Sequence, residues 1–480
     1  MQKIFLRHHT FWLSIASILL LSGCATPEAS PPKLDSNLSA TFHHADSSLT
    51  EDREWWGKFN DPILSTLIEK ALISNHDVGI AMSRIKAARA GADTHASRLL
   101  PTVDLQTSAS TTHSGLPSPY KQGMPDVRAY SAGIGLAWEL DISGGVRASV
   151  NAAQSDAIRA EVGAEGVRLL IASEIARQYF ILRGAQQRLA ILKELAQTRH
   201  EYVNLISRRL KEGQSSRYDL NMAEAQANAL DGQIPSLQTL VDVSQTHISL
   251  LLGANPSASV VDDNPEYVWS KSPSIGTAQP IDLLRRRPDL MAAEAQYRAE
   301  SLRSKEAESQ TWPKLFVNAL FGFEDFRING IDLATVAFSN VAMAFAMPIF
   351  NAGRIQASID VQSAREHEAL LSWQKSVFVA VKEVEDTLSL RSNEMKRGAL
   401  LRAVASNHQQ SLRHIQSLYR EGQIDKLSLL DVERLVSLSA IEVTEHETQR
   451  LLADVQLYKA LGGGWNASQL SSKEQPKVQP

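Results

Sequence analysis

The sequence holds a single cysteine, Cys24, in 480 residues, so no disulfide can form within the chain. A basic excess is missing too: the formal net charge is -4 and the pI is near 6.4, which argues against a nucleic-acid-binding surface. Long apolar runs are absent except at the extreme N-terminus, whereas a multi-span helical membrane protein needs several runs of about 20 apolar residues. Proline does not occur between Pro125 and Pro235, nor between Pro348 and Pro476, which leaves two long stretches free to be helix.

Catalytic signatures are equally scarce. Ser372-Trp373-Gln374-Lys375 has the spacing of a penicillin-recognising nucleophile, but no Ser-Asp-Asn or Lys-Thr-Gly accompanies it. His367 and His446 neighbour glutamates without forming His-Glu-x-x-His, and no clustered metal ligands accompany them. Gly462-Gly463-Gly464 follows a helical pattern rather than a strand, so it reads as a helix stop and not a phosphate loop. The expectation is a protein that is not an enzyme and uses no metal or cofactor.

What is present begins with an address. Lys3 and Arg7 precede an apolar core from Phe11 to Leu21, the layout of a secretory signal over residues 1–23. The signal ends in Leu21-Ser22-Gly23-Cys24, which is similar to a bacterial lipobox, a signal whose cysteine is lipidated and becomes the first mature residue. Ala25 rather than Asp follows, and that resemblance implies sorting to the outer membrane. Residues 24–54, rich in Pro, Ser and Asp, read as a lipidated extended tether. Residues 466–480 read as a disordered polar tail.

Between these ends the chain is written twice. Lys211-Glu212-Gly213-Gln214 returns as Arg420-Glu421-Gly422-Gln423, an offset of 209 positions. The same offset carries Ala148-Ser149-Val150 onto Ala357-Ser358-Ile359, Glu174 onto Glu383, and Leu252-Gly253 onto Leu461-Gly462. Two repeats follow, 55–255 and 277–465, each to be explained as one unit. Each unit has a helix ended by proline (Pro101, Pro313) and then a pair of strands, near 101–112 and 129–141 in the first unit, near 313–325 and 334–349 in the second. Ala132, Ile134, Leu136, Trp138 and Leu140 alternate with small or polar residues, as do Leu315, Val317, Ala319, Phe321 and Phe323. Each run is about ten residues, the length of a tilted membrane-crossing strand. Near Asn340 the apolar parity changes, which fits either a bulge or a misread strand. A long helical hairpin, proline-free on both sides of its glycine turn, closes each unit, its first arm roughly 100 Å long at 1.5 Å per residue. Helices of that length must pack along their sides to persist. The hairpin tips fall at 212–216 and 421–425.

The lipobox, Trp55-Trp56 with Phe59 and Asp61-Pro62, Trp138-Glu139-Leu140-Asp141, Pro348-Ile349-Phe350-Asn351-Ala352-Gly353-Arg354 and the two Glu-Gly-Gln turns together resemble the TolC-like outer-membrane efflux duct family, in its lipoprotein branch. The resemblance covers nearly the whole mature chain. It implies a mixed fold, a membrane β-barrel with a long α-helical barrel, in which four strands per chain build a trimeric twelve-stranded barrel above a periplasmic helical tunnel. Four strands alone would leave two open edges in lipid, so closure across chains is also what physics requires. The resemblance further implies a homotrimer anchored in outer-membrane lipid, working with a periplasmic adaptor (membrane fusion) protein and an inner-membrane pump of RND type. It makes Glu212, Gly213, Gln214, Glu421, Gly422 and Gln423 the adaptor-binding tips, Asp219 and Tyr419 an inter-helix latch, and Asp431 a lumen-facing gate carboxylate. Two departures stand out: Ser428 occupies the position of another lumen aspartate, and Ile424 that of a latch arginine.

The function expected is therefore an outer-membrane channel of a tripartite efflux system that exports small toxic compounds or drugs. A duct for protein secretion is one alternative. A non-conducting structural coiled-coil lipoprotein is another, although such a protein has no use for alternating strands.

Overall fold

The computed structural model describes residues 41–42, 54–113, 115, 117, 126–257, 260–264, 266–273, 275, 280–328 and 331–463. The signal segment, Cys24, nearly all of the tether and the polar tail lie outside the described residues. The described chain forms two compact units, one containing Arg84–Ala160 and Ala292–Trp373, the other Glu161–Met291 and everything from Gln374, with the segment ending at Ser83.

Chain order is helix, helix, strand pair, hairpin, given twice. The first copy comprises α1 (Pro62–Ser74), α2 (His76–Ala96), β1 (Thr102–Thr112), β2 (Val127–Leu140), α3 (Gly145–Lys211), α4 (Arg217–Asp231) and α5 (Ile234–Leu251). The second comprises α6 (Leu283–Arg286), α7 (Pro288–Ser309), β3 (Lys314–Ile328), β4 (Ile331–Asp332), β5 (Val336–Ala346), α8 (Arg354–Arg420) and α9 (Lys426–Ala460). Helices α3 and α8 are each 67 residues long, and both ends of one map onto the other at the offset of 209. The copies diverge in the returning arm. Gly232 and Gln233 break it into α4 and α5, with Pro235 in the first turn of α5, while α9 runs unbroken for 35 residues.

In the strand unit, one antiparallel sheet runs β1-β2-β3, with β5 pairing on the far side of β3. The four long strands are joined by a fifth, the two-residue β4, which folds back onto Arg327 and Ile328. Directly paired residues share a face, so the register decides what each face carries. Val103, Leu105, Ile134, Leu136, Trp138, Leu315, Val317, Phe321, Val341, Met343 and Phe345 fall on one face. Asp104, Gln106, Ser108, Ser131, Gly133, Asn318, Gly322, Glu324 and Asn340 fall on the other. The register of β3 with β5 is regular from Lys314↔Ala346 to Glu324↔Val336, so the parity change at Asn340 is not a bulge. On the even side of β5, Phe338 stands opposite Gly322, which itself stands opposite Gly133. A Cβ on Gly322 would lie 2.5 Å from the Ala132 carbonyl oxygen and 2.9 Å from the Phe338 ring, so the glycine permits close approach on both sides of β3.

In the helical unit, the Trp55–Asp61 segment is the anchor. Trp55 stacks on Tyr458 with ring centroids 5.1 Å apart, and Phe59 packs against Phe180 at 5.3 Å. Asp61 is the N-cap of α1, its Oδ1 accepting from the Ile63 and Leu64 amides. Its Oδ2 accepts from the hydroxyls of Tyr179 and Tyr267, each at 2.8 Å. Burial pushes the Tyr179 hydroxyl up to about 12, so it remains a donor at any physiological pH. The segment between the copies is strapped down from both sides: Arg183 donates to the Asp262 carbonyl at 2.8 Å, and buried Asp454 accepts from Ser272 at 2.6 Å and Arg391 at 2.8 Å. Among the described residues, no helix is long and apolar enough to cross a membrane.

Candidate functional site at the hairpin tips

The two tips are built alike at the level of the backbone. Gly213 and Gly422 have φ of +73° and +74°, a left-handed conformation that costs any residue with a Cβ about 1–2 kcal/mol. In the first tip the Gly213 amide donates to the Leu210 carbonyl and the Gln214 amide to that of Arg209. In the second, Gly422 donates to Tyr419 and Gln423 to Leu418. This pair of bonds satisfies carbonyls that the ending helix leaves open, and the left-handed residue that makes it possible favours glycine. Glu212 and Glu421 are exposed beside them.

The helix that leaves each tip is capped by the same two residue types in opposite order. In the first, the Ser216 side chain accepts from the Asp219 amide while Asp219 Oδ2 accepts from the Ser216 amide at 2.8 Å and its hydroxyl at 2.7 Å. In the second, Asp425 Oδ1 accepts from the Ser428 amide at 2.9 Å and its hydroxyl at 2.7 Å. The backbone bond from Ser216 holds the Asp219 carboxyl below the usual carboxylate range; that from Ser428, aided by its hydroxyl and by Arg209, does the same for Asp425. Ser428 is therefore a capping partner, and Ile424 lies partly buried in the turn.

The two capping carboxylates bond to different partners. Asp219 bonds only within its own turn, its Oδ2 accepting from Ser215 and Ser216. Asp425 has an oxygen left over, and Arg209 of α3 donates to it at 2.9 Å. That contact is the outermost of a ladder between α3 and α9. Lys426 lies 4.0 Å from Glu201, Arg199 donates to Asp431 at 3.1 Å, and Arg188 pairs with Glu445. Arg199 is 2% exposed and sits over the Tyr202 ring at 4.8 Å, whereas Asp431 is half exposed. The Asp431 carboxylate is thus neutralised from within the chain. Leu427 completes the join by packing on a buried cluster of Ile206, Leu220 and Ala223, each burial worth about 1.5–3 kcal/mol for a side chain of leucine size.

Asp219 and Tyr419 share no hydrogen bond among the described residues; Tyr419 instead lies under the Lys426 ammonium, 5.9 Å from its ring centroid. Sequence reasoning passed over Arg199, Arg209 and Leu427. Laying the two copies over one another would have flagged the arginines, because each belongs to one copy and faces an acid belonging only to the other.

A sheet with one apolar and one polar face, followed by paired helical hairpins, defines the class: an outer-membrane channel. The solved outer-membrane channel OprN superposes with a TM-score of 0.79 at 27% identity, covering 92% of this chain and 98% of that one. The CmeC channel of Campylobacter jejuni, at 21% identity, shares the fold with a TM-score of 0.82 over 93% of this chain and 96% of that one. The chain belongs to the outer membrane efflux protein family, whose model matches it twice, at residues 67–254 and 280–463. Its relatives include the solvent efflux pump outer membrane protein SrpC of Pseudomonas putida, 27% identical over 414 residues (86% of this chain, 87% of that protein). Another is the probable outer membrane lipoprotein SilC of Salmonella typhimurium, 24% identical over 462 residues (94% of this chain, 98% of that protein). The protein is an outer-membrane efflux channel, a duct rather than a catalyst.

Proposed function

We propose that three copies of this chain, each tethered through a lipidated Cys24, close one barrel and serve as the exit duct for small toxic compounds or drugs. A periplasmic adaptor protein docks on the turns at 212–214 and 421–423, and an inner-membrane pump of RND type supplies the energy. The observation that carries the reading is the open sheet. Among the described residues β1 pairs only with β2, and the outer side of β5 is free, although both strands are 11 residues long and apolar on one face. In lipid each unpaired backbone group costs several kcal/mol, which only a neighbouring strand can remove. Joining β1 of one copy to β5 of the next closes the sheet without further elements.

In this reading Asp219, Tyr419 and Asp431 lie at the closed end of the duct, where Asp431 acts as an Arg199-neutralised ring rather than a bare one. The test is native mass and conductance on one preparation. Three chains per particle are expected, with conductance in planar bilayers that rises when Asp219→Ala and Tyr419→Phe are combined. A three-chain particle that never conducts would remove the duct, and a one-chain particle would remove the trimer. Cross-linking in cells from Gln214→Cys and Gln423→Cys identifies the docked adaptor.

A further inference from the structure

The duplication supplies a test of completeness that a single chain fails. In the first copy, Ile206, Leu220 and Ala223 are buried because Leu427 of the second copy lies over them. At the offset of 209 their counterparts are Ile415, Leu429 and Val432, and only Leu429 is buried; Ile415 and Val432 stay partly open. Tyr419, the counterpart of Leu210, is 39% exposed. The cover is what the second copy lacks. The residue corresponding to Leu427 is Tyr218, and it is 70% exposed on the outer side of α4. One turn further along, Met222 corresponds to Asp431 and is 44% exposed. Tyr218 and Met222, four residues apart, form an apolar stripe on one helical face. The second hairpin carries the matching open patch.

We infer that Tyr218 of one chain covers Ile415, Tyr419 and Val432 of a second copy, reproducing between chains the join that Leu427 makes within one. The inference rests on the trimeric reading above and adds the residue through which one copy completes the tip of the next. It also makes Tyr419 part of a pocket for a tyrosine ring.

The two joins differ in kind. Within the chain the α3–α9 join carries ion pairs at Arg188–Glu445, Arg199–Asp431, Glu201–Lys426 and Arg209–Asp425. At the same offset the join between chains would set Arg397 against Ser236, His408 against Met222, Gln410 against Arg217 and Leu418 against Ser216. None is an oppositely charged pair. His408 has a buried Nδ1 without a hydrogen-bond partner where Arg199 has a carboxylate. The join between copies thus lacks the ion-pair ladder of the join within one.

The test bridges the same two positions in both joins, in full-length protein purified as its native assembly. Tyr218→Cys with Ile415→Cys, treated with a short bismaleimide, is expected to give species of two and three chains on a denaturing gel. Leu427→Cys with Ile206→Cys is expected to stay at the mass of one chain. A native three-chain particle in which the first pair bridges only within a chain, or not at all, overturns the inference and leaves the trimer standing; a one-chain native particle overturns the trimer itself. Tyr218→Cys alone, a surface change, gives a second readout. Its reaction with a water-soluble maleimide should be about tenfold slower than that of Gln214→Cys in the same assembly, because thiol reactivity follows access. Equal rates would show that nothing covers Tyr218.

Discussion

The two hairpin tips share a backbone and differ in one exchange. Both turn through a left-handed glycine, at φ +73° and +74°, and both cap the departing helix with one serine and one aspartate. In the first tip the order is Ser216 then Asp219, and the carboxylate bonds only within its own turn, through Oδ2. In the second the order is Asp425 then Ser428, and the carboxylate keeps an oxygen for Arg209 across the join. The transposition, together with Arg209 where the second copy has Leu418, turns a local cap into a link between hairpins. A duplicated unit can thus keep its fold while its copies take different jobs, since capping is satisfied by either order and only the long-range contact differs.

The largest effect is expected where the link is buried. Asp431→Ala strands the Arg199 guanidinium, 2% exposed, and should cost about 3 kcal/mol in the α3–α9 join, read as loss of hydrogen-exchange protection in α9 near Leu430. Arg199→Met keeps the volume and leaves a half-exposed carboxylate that water can hydrate, so it should cost about 1 kcal/mol or less. Equal costs would mean that Arg199 is not buried in solution. Next come the glycines. Gly213→Ala and Gly422→Ala should each cost about 1–2 kcal/mol by the same exchange measurement, and a marked inequality would break the claim that the tips share a backbone.

A smaller effect is expected at the exposed link. Arg209→Ala should lower protection at the second tip by about 0.5 kcal/mol and leave the cap at Ser216 untouched, because both partners of the ion pair are partly in water. The last comparison is with pH. Asp219 and Asp425 are both held below the ordinary carboxylate value of 3.8, so each supports its cap fully above that value and loses its contribution as pH falls through the depressed one. Amide exchange at Ser216 and Ser428, compared with mid-helix amides, should therefore accelerate only on strong acidification. Arg209→Ala should move that onset toward neutral pH at Ser428 and not at Ser216.

Much of this was legible in the residues. Alternation in β2 and β3, the prolines that end α2 and α7, the proline-free arms α3 and α8 and the repeated Glu-Gly-Gln turns rest on interactions within a few residues of each other. The break of the first returning arm at Gly232–Pro235 went unread, although a glycine and a proline mark it. The parity change in β5 was visible but could not be interpreted, since the register that rules out a bulge is set against β3, a strand away. Asp219 and Asp431 were singled out by the family resemblance, whereas what each one touches could not be read along the chain. Arg199 and Asp431 are 232 positions apart, and nothing local joins them.

The sequence by itself determined the unit and its duplication, the strands and their two faces, and the glycine turns, because backbone conformation and periodic burial are written into short windows. Only the tertiary structure decided which acid meets which arginine, that Leu427 is covered and Tyr218 is not, and hence that one join is complete within the chain and its twin is left open. Those outcomes depend on bringing together residues some two hundred positions apart, and they follow from how the helices lie against each other rather than from any pattern along the chain.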